Sequence, residues 1–327
     1  SAATGKLLAA APLPDKGETY MSPVLHGFEG QGRLSVIFGT GGETLGGSLY
    51  LASLEQVLAG DLTGAKVLAS SSLKGFVAPP VLADITADGV EDIACNAVDG
   101  RFLLLDGKSH ELLWQVDLGR DYESYSMPAP GYFNGDDVPD FFISYGKGQW
   151  PDINRAVQLA VDGRDGQIIF SDSSGCFQYA SPVVADLTGD GLDDVLFTIN
   201  LKVEVGESAP SLGKQDGGYR TVPVLYNIHN KTVQKLAAPP LEGTNLGATP
   251  LLTDLDNNGR LDLVLCRMTD NSGFFSFRHL VVARQETSIE LKALPQWGNY
   301  MGIYRNGLFK GRGRKLSFVA NPPLPQL

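Results

Sequence analysis

The chain has 327 residues, 43% hydrophobic and 19% charged, with 39 glycines, 19 prolines and a net charge of −11. This composition supplies a sizeable core and frequent chain reversals, and it argues against long helices and against nucleic-acid binding, which needs basic patches. No run of about 18 apolar residues is present, so no membrane span is expected, and the three cysteines Cys95, Cys176 and Cys266 are too sparse for a disulfide framework.

Read in chain order, the sequence repeats itself. The opening ATGKLLAAAPLP has the pattern of the last strand of a unit whose other strands lie elsewhere. The units proper follow: SPVLHGFEGQGRLSVIF from Ser22, PPVLADITADGVEDIAC from Pro79, MPAPGYFNGDDVPDFFI from Met127, SPVVADLTGDGLDDVLF from Ser181 and TPLLTDLDNNGRLDLVL from Thr249. A proline stands four residues before the first acidic position in each, at Pro23, Pro80, Pro128, Pro182 and Pro250. YRNGLFKGRGRKLSFVA, near residue 303, reads as a sixth copy, because Tyr300-Met301 precedes it as Tyr20-Met21 precedes the first.

Each loop is followed by an apolar strand and then by a hairpin with Gly, Asn or Asp at its turn: FLLLDGKSHELLWQVDL, QLAVDGRDGQIIFSDS, VLYNIHNKTVQKLA and HLVVARQETSIELKAL. Units of about four short antiparallel strands cannot bury both faces alone, and radial packing buries them. The expected fold is therefore all-β, one β-propeller domain over residues 1–327 with six four-stranded blades, units beginning near 22, 79, 127, 181, 249 and 303. A seventh blade is the alternative. The N-terminal strand is expected to complete the last blade and close the ring.

Three loops place oxygen-bearing residues at positions one, three, five, seven (through its carbonyl) and nine, with glycine at six: Asp84, Thr86, Asp88, Val90 and Asp92; Asp186, Thr188, Asp190, Leu192 and Asp194; Asp254, Asp256, Asn258, Arg260 and Asp262. The first half of each matches an EF-hand loop, yet the flanks are β-rich and the last acid comes at position nine rather than twelve. About three structural calcium ions are expected; the alternative is an Asx-rich turn that holds no metal. The loop at Asn134, Asp136 and Asp140 lacks the first acid, which is Tyr132, and the loops at Glu29 and Lys310 are expected to be empty.

The D-x-[DTN]-x-[DN]-G-x-x-D loop followed by an apolar strand resembles the FG-GAP/VCBS repeats of integrin α-subunit heads and many secreted or surface proteins, over nearly the whole chain from about Tyr20 to Val319. The resemblance implies a propeller whose loops join the first two strands of a blade and bind calcium. The turns DGKSHELLW and DGRDGQIIF also resemble quinoprotein-type repeats, without the tryptophan pattern that a quinone cofactor accompanies.

Function then needs another site. Tyr20, Tyr125, Tyr179 and Tyr300 fall at one equivalent repeat position, where they would form an aromatic collar at one mouth of the axis or pack between blades. Trp150, Trp297, Arg120, Tyr122, Asn299 and Arg305 lie nearby in sequence, and aromatics with Arg and Asn suit sugars or peptide side chains. No nucleophile elbow, zincin helix or P-loop is present. The expectation is a non-catalytic extracellular, surface or periplasmic propeller binding a protein or glycan, with any leader or anchor outside this sequence. The alternatives are a lyase or glycosidase acting through Glu123, Asp121 or Asp152, and a scaffold domain of a larger surface protein. Asn230-Lys231-Thr232 is a candidate glycosylation acceptor.

Overall fold

The computed structural model describes residues 1–28, 34–148, 153–176, 179–202, 219–237, 241–245, 247–269, 279–291 and 294–311. It is all-β apart from one short helix. Strands β1 (Val24–His26), β2 (Ser35–Gly39), β3 (Gly47–Ser53) and β4 (Lys66–Ser71) form the first sheet, with helix α1 (Leu54–Ala59) after β3. The second contains β5 (Val81–Ala83), β6 (Asp92–Asn96), β7 (Arg101–Leu105) and β8 (Leu112–Asp117). In the third, β10 (Ala129–Gly131), β11 (Asp140–Lys147), β12 (Arg155–Val161) and β13 (Ile168–Asp172) run in order, and β9 (Tyr122–Glu123) pairs with β11. The fourth has β14 (Val183–Ala185), β15 (Asp194–Lys202), β16 (Tyr219–Asn227) and β17 (Thr232–Lys235), with β18 (Leu241–Glu242) on β16. The fifth is β19 (Leu251–Thr253), β20 (Arg260–Met268) and β21 (Leu280–Glu290). Every neighbouring pair is antiparallel.

The proline register is realised without exception: Pro23, Pro80, Pro128, Pro182 and Pro250 each stand one residue before the first strand of a sheet. Proline has no N–H to lose there, so it marks a strand start without breaking a ladder. In the second sheet burial falls from the inner strands to the last. Val81, Leu82 and Ala83 are buried, as is all of β6, whereas β8 is mostly exposed. Strands covered on both faces need no alternation, and β6 and β7 show none. The first strands lie side by side: β10 packs against both β5 and β14. One core runs from Val24 and Ile37 through Phe102, Phe141 and Phe197 to Val222, and a second joins Val183 and Leu196 to Leu252 and Leu263 of the fifth sheet.

Residues 294–311 run against the first strands of three of these sheets. Val184 N donates to Trp297 O at 3.0 Å, Leu252 N to Gly298 O at 2.7 Å and Leu82 N to Gly307 O at 2.7 Å, and Phe309 N donates back to Leu82 O at 2.8 Å. Trp297, Met301, Leu308 and Phe309 are buried with the main core. A single segment thus satisfies inner-edge backbone groups of three sheets that would otherwise face a channel.

Three expectations differ from this arrangement. The described part of the sixth unit is this turn-rich axial segment, not the start of a blade; residues 312–327, which carry its remainder, lie outside the described residues. Residues 1–20 form no strand: Leu7 and Leu8 are 82% and 70% exposed. Ala11 and Leu13 instead lie against Val36, Phe38 and Tyr50 of the first sheet. Ring closure by a shared blade is therefore not seen among the described residues. HLVVARQETSIELKAL, read as a hairpin, holds the single strand β21. The helix is also new. Ser53 and Gln56 form a reciprocal capping box and Gly60 ends the helix at φ 74°, a signature present in the sequence as Ser-Leu-Glu-Gln.

Candidate functional site

The acidic loops connect the first two strands of each sheet. Position nine is the buried anchor. In the second sheet Asp92 Oδ2 accepts from Ile85 N and Thr86 N, both at 2.9 Å, and Oδ1 accepts from Gly107 N at 2.9 Å. Asp140 repeats the pattern with Phe133 N at 3.0 Å, Asn134 N at 3.2 Å and Gly163 N at 3.2 Å. The carboxylate therefore ties the first loop of the sheet to the Asp-Gly turn of its third and fourth strands. The glycines are required by proximity, since a Cβ on Gly107 would lie 1.9 Å from Glu91 O and one on Gly163 1.9 Å from Pro139 O. Reading the sequence for turns finds both Asp-Gly pairs but not this second use.

Position one caps the loop from the other side. Asp84 accepts from Asp88 N and Gly89 N at 3.1 Å each, Asp186 from Gly189 N at 2.7 Å and Gly191 N at 3.0 Å, and Asp254 from Asn258 N at 3.0 Å and Gly259 N at 2.8 Å. Position five turns the amide of position seven inward: Val90 N to Asp88 at 2.9 Å, Leu192 N to Asp190 at 3.0 Å and Arg260 N to Asn258 at 2.8 Å. These bonds fold each loop around its own oxygens, the arrangement an oxygen-liganded cation such as calcium uses.

The loops differ in what faces those oxygens. In the fourth sheet Asp194 is 1% exposed and its Oδ1 has no hydrogen-bond partner, while Oδ2 accepts from Leu187 N and Thr188 N at 2.8 Å. Burial pushes its carboxyl above the ordinary range against those donors. A buried carboxylate oxygen without a donor needs a proton or a cation, so Asp194 is the residue of the set Asp186, Thr188, Asp190, Leu192 and Asp194 that leaves room for either. Asp84, Thr86, Asp88, Val90 and Asp92 have the same backbone geometry. There too burial raises the carboxyl at position nine. A cation in either loop would supply only charge and ligation, holding the loop between its strands. In the fifth sheet Asp254, Asp256 and Asp262 bring carboxylate oxygens within 4.8 Å of one another. Arg284 enters this cluster: Nε donates to Asp262 Oδ1 at 2.9 Å and a terminal nitrogen to Asp256 Oδ2 at 2.6 Å.

The third sheet's loop is neutralised differently. Asn134 Nδ2 donates to Asp140 Oδ1 at 3.2 Å and to Asp162 Oδ2 at 3.1 Å, and Arg164 lies 3.0 Å from Asp136. Burial, with Asp162 and Asp136 adding to it, raises the Asp140 carboxyl to about 7. Folding therefore takes up a proton between the unfolded value of about 4 and this one. The resulting stability is fully present below about pH 4 and is lost as pH rises toward 7, on the order of 4 kcal/mol across the window. The stability difference between wild type and Asp140→Ala, from urea unfolding in EDTA, should thus shrink from pH 5 to pH 8. A difference that stays flat would show that Asp140 is ionised throughout.

At the opposite ends of the strands, the collar residues separate. Tyr125 and Tyr179 meet edge to face, ring centroids 4.8 Å apart. The Tyr125 hydroxyl donates to Glu123 Oε2 at 2.7 Å, and Lys74 pairs with Glu123 Oε1. Burial and then the Glu43 charge push both phenols up, and Lys74, Glu123, Tyr125 and Tyr179 form one contiguous cluster. Tyr20 is exposed and donates to Glu18 Oε2 at 2.9 Å; Tyr300 donates to Ser22 Oγ at 3.3 Å. Trp297 is 2% exposed and belongs to the axial core rather than to a mouth. Trp150 and Asp152 lie outside the described residues. Glu123, offered as a catalytic carboxylate, is buried and held by Lys74 and Tyr125, and Asp121 is exposed. Beside Tyr179 opens a hollow of about 270 Å³ lined by Thr244, Asn245, Arg267, Met268 and Leu280. The Thr244 hydroxyl is buried there without a partner.

Of the remaining candidates, Cys95 and Cys176 are buried free thiols pushed up to about 12 by burial, and Cys266 is partly buried. Asn230 is exposed in the β16–β17 turn and donates to Asp190 Oδ2 at 3.2 Å. Among the described residues no helix is long and apolar enough to cross a membrane.

No family model matches the chain. Protein FAM234B of Mus musculus is 27% identical over 160 residues, a stretch that covers 45% of this chain and 24% of that protein. Among solved structures, quinohemoprotein alcohol dehydrogenase from Comamonas testosteroni aligns with a TM-score of 0.48 at 11% identity, covering 76% of this chain and 40% of its own. BamB from Moraxella catarrhalis aligns at 0.39 and 14% identity, covering 79% and 60%. The all-β, multi-sheet architecture rests on the strand pairing described above.

Proposed function

We propose that the chain is a non-catalytic β-propeller binding module of the FG-GAP/VCBS kind, displayed outside the cell. Calcium in the loops 84–92 and 186–194 stabilises it, and a protein or glycan ligand docks at the Tyr125–Tyr179 mouth. The observation that carries the binding site is the aromatic pair beside the hollow whose wall holds the unpartnered Thr244 hydroxyl. An aromatic face beside a hollow lined by both apolar and polar side chains suits a ligand with alternating apolar and polar groups. Structural rather than catalytic metal agrees with loops that are repeated and closed by their own backbone. The engagement of Glu123 by Lys74 and Tyr125 favours binding over the glycosidase alternative, which needs a free carboxyl pair.

The test is binding to an array of defined glycans and to a panel of purified extracellular domains, with Tyr179→Ala and Thr244→Val beside wild type. Either substitution should weaken the strongest hit about tenfold, equivalent to 1.4 kcal/mol, while moving Tm by less than about 4 °C. Binding that survives both changes would remove the mouth as the ligand site. Turnover of an arrayed polysaccharide would favour the enzyme reading.

A further inference from the structure

We infer that the fifth acidic loop carries a cation supplied by the chain itself, the Arg284 guanidinium, and takes no calcium. The sequence gives this loop the most acidic start of the set, Asp254 and Asp256 with Asp262 at position nine, and these carboxylates converge within 4.8 Å. Like charges at that spacing cannot stay ionised together without a positive partner. Arg284 provides it from β21. Its fork spans positions three and nine: Nε donates to Asp262 Oδ1 at 2.9 Å, and a terminal nitrogen donates to Asp256 Oδ2 at 2.6 Å and lies 3.5 Å from Glu286 Oε2.

Asp262 Oδ1 is the oxygen whose counterpart accepts Gly107 N in the second sheet and has no partner in the fourth. The guanidinium therefore occupies carboxylate oxygens at positions three and nine that a cation entering this loop would have to share. It is also tethered, planar and matched to carboxylates, so a free ion would have to break two charge-assisted bonds to enter. Position five is engaged as well, because Asn258 Nδ2 donates to Glu286 Oε2 at 3.0 Å. The arginine holds Asp262 below the ordinary carboxylate range and is itself raised. Among the described residues no arginine bridges two positions of another loop: the side-chain donors on Asp190 are the neutral amides of Asn227 and Asn230, the cation beside Asp88 is the exposed Lys108 at 3.8 Å, and Arg164 pairs with Asp136 of the third sheet's loop. The fifth sheet, whose last described strand is the exposed edge β21, thereby has a staple that chelators cannot remove.

The test is the calcium content of the whole chain, by plasma mass spectrometry after gel filtration in calcium, for wild type, Asp254→Ala, Arg284→Met and the double variant. Asp254→Ala should hold as much calcium as wild type. Arg284→Met should hold a further ion, and the double variant should lose it again. A loss of calcium in Asp254→Ala, or no gain in an Arg284→Met protein whose circular dichroism matches wild type, would overturn the inference. Should Arg284→Met fail to fold, Asp254→Ala still decides the wild-type loop. The inference is separable from the calcium reading of the loops 84–92 and 186–194. Were wild type to hold no calcium, that reading would fail, while a gain in Arg284→Met would still show the arginine in the ion's place.

Discussion

Gly107→Ala is expected to destabilise the protein by about 3–5 kcal/mol, the sum of overpacking and a damaged bond to a buried carboxylate. The added methyl would sit 1.9 Å from Glu91 O and 2.7 Å from its carbon. Both are backbone atoms of the residue just before β6, so neither can swing aside. To make room, the Asp-Gly turn must withdraw and take Gly107 N away from Asp92 Oδ1. A buried carboxylate oxygen then has no donor. Gly135 is the control: nothing lies within 4 Å of its Cβ position, so Gly135→Ala should change stability by less than about 0.5 kcal/mol. Urea unfolding of both variants checks this. Equal small losses would mean that the turn is free to move and that the position-nine brace is weak.

Trp297→Ala should cost about 3–5 kcal/mol, the range for emptying a buried tryptophan site. Its ring packs against Phe309 at a centroid distance of 6.4 Å and walls, with Tyr132 and Phe309, a cavity of about 450 Å³. The space left by the indole would join that cavity instead of collapsing, which places the loss toward the upper end. Tyr300→Ala, three residues on and 40% exposed, should cost less than about 1 kcal/mol. If the two substitutions cost the same, the axial segment would not be part of the core.

The repeat itself was legible because its signals are local. Each proline fixes the residue before a first strand, and each aspartate at position nine opens or sits early in the second. The fate of Trp297 was not legible. It lies near the repeat tyrosines in sequence, but it packs against Phe309 and its carbonyl accepts from Val184 N, partners with no periodic relation to it. The described start of the sixth unit forms turns rather than a strand, and YRNGLFKG, unlike the other copies, has no proline before it to mark a strand start. Arg284 is separated from Asp262 by 22 residues, beyond the span of any loop pattern. The only hint was an arginine within an otherwise plain strand. The capping box of α1 stands in the sequence as Ser53-x-x-Gln56, but a helix of six residues is too short to show helical periodicity.

The axial segment also bears on how the chain reaches this structure. Each sheet pairs strands that are near neighbours in sequence, so each can form early at modest loop-closure cost. Residues 294–311 touch partners as distant as Ser22, 278 positions away, and their bonds exist only after the sheets have converged. Docking of this segment should therefore be the last and slowest event. Until it occurs, the inner edges of the second, fourth and fifth sheets are open to the wrong partner, and an assembling chain is most prone to aggregate.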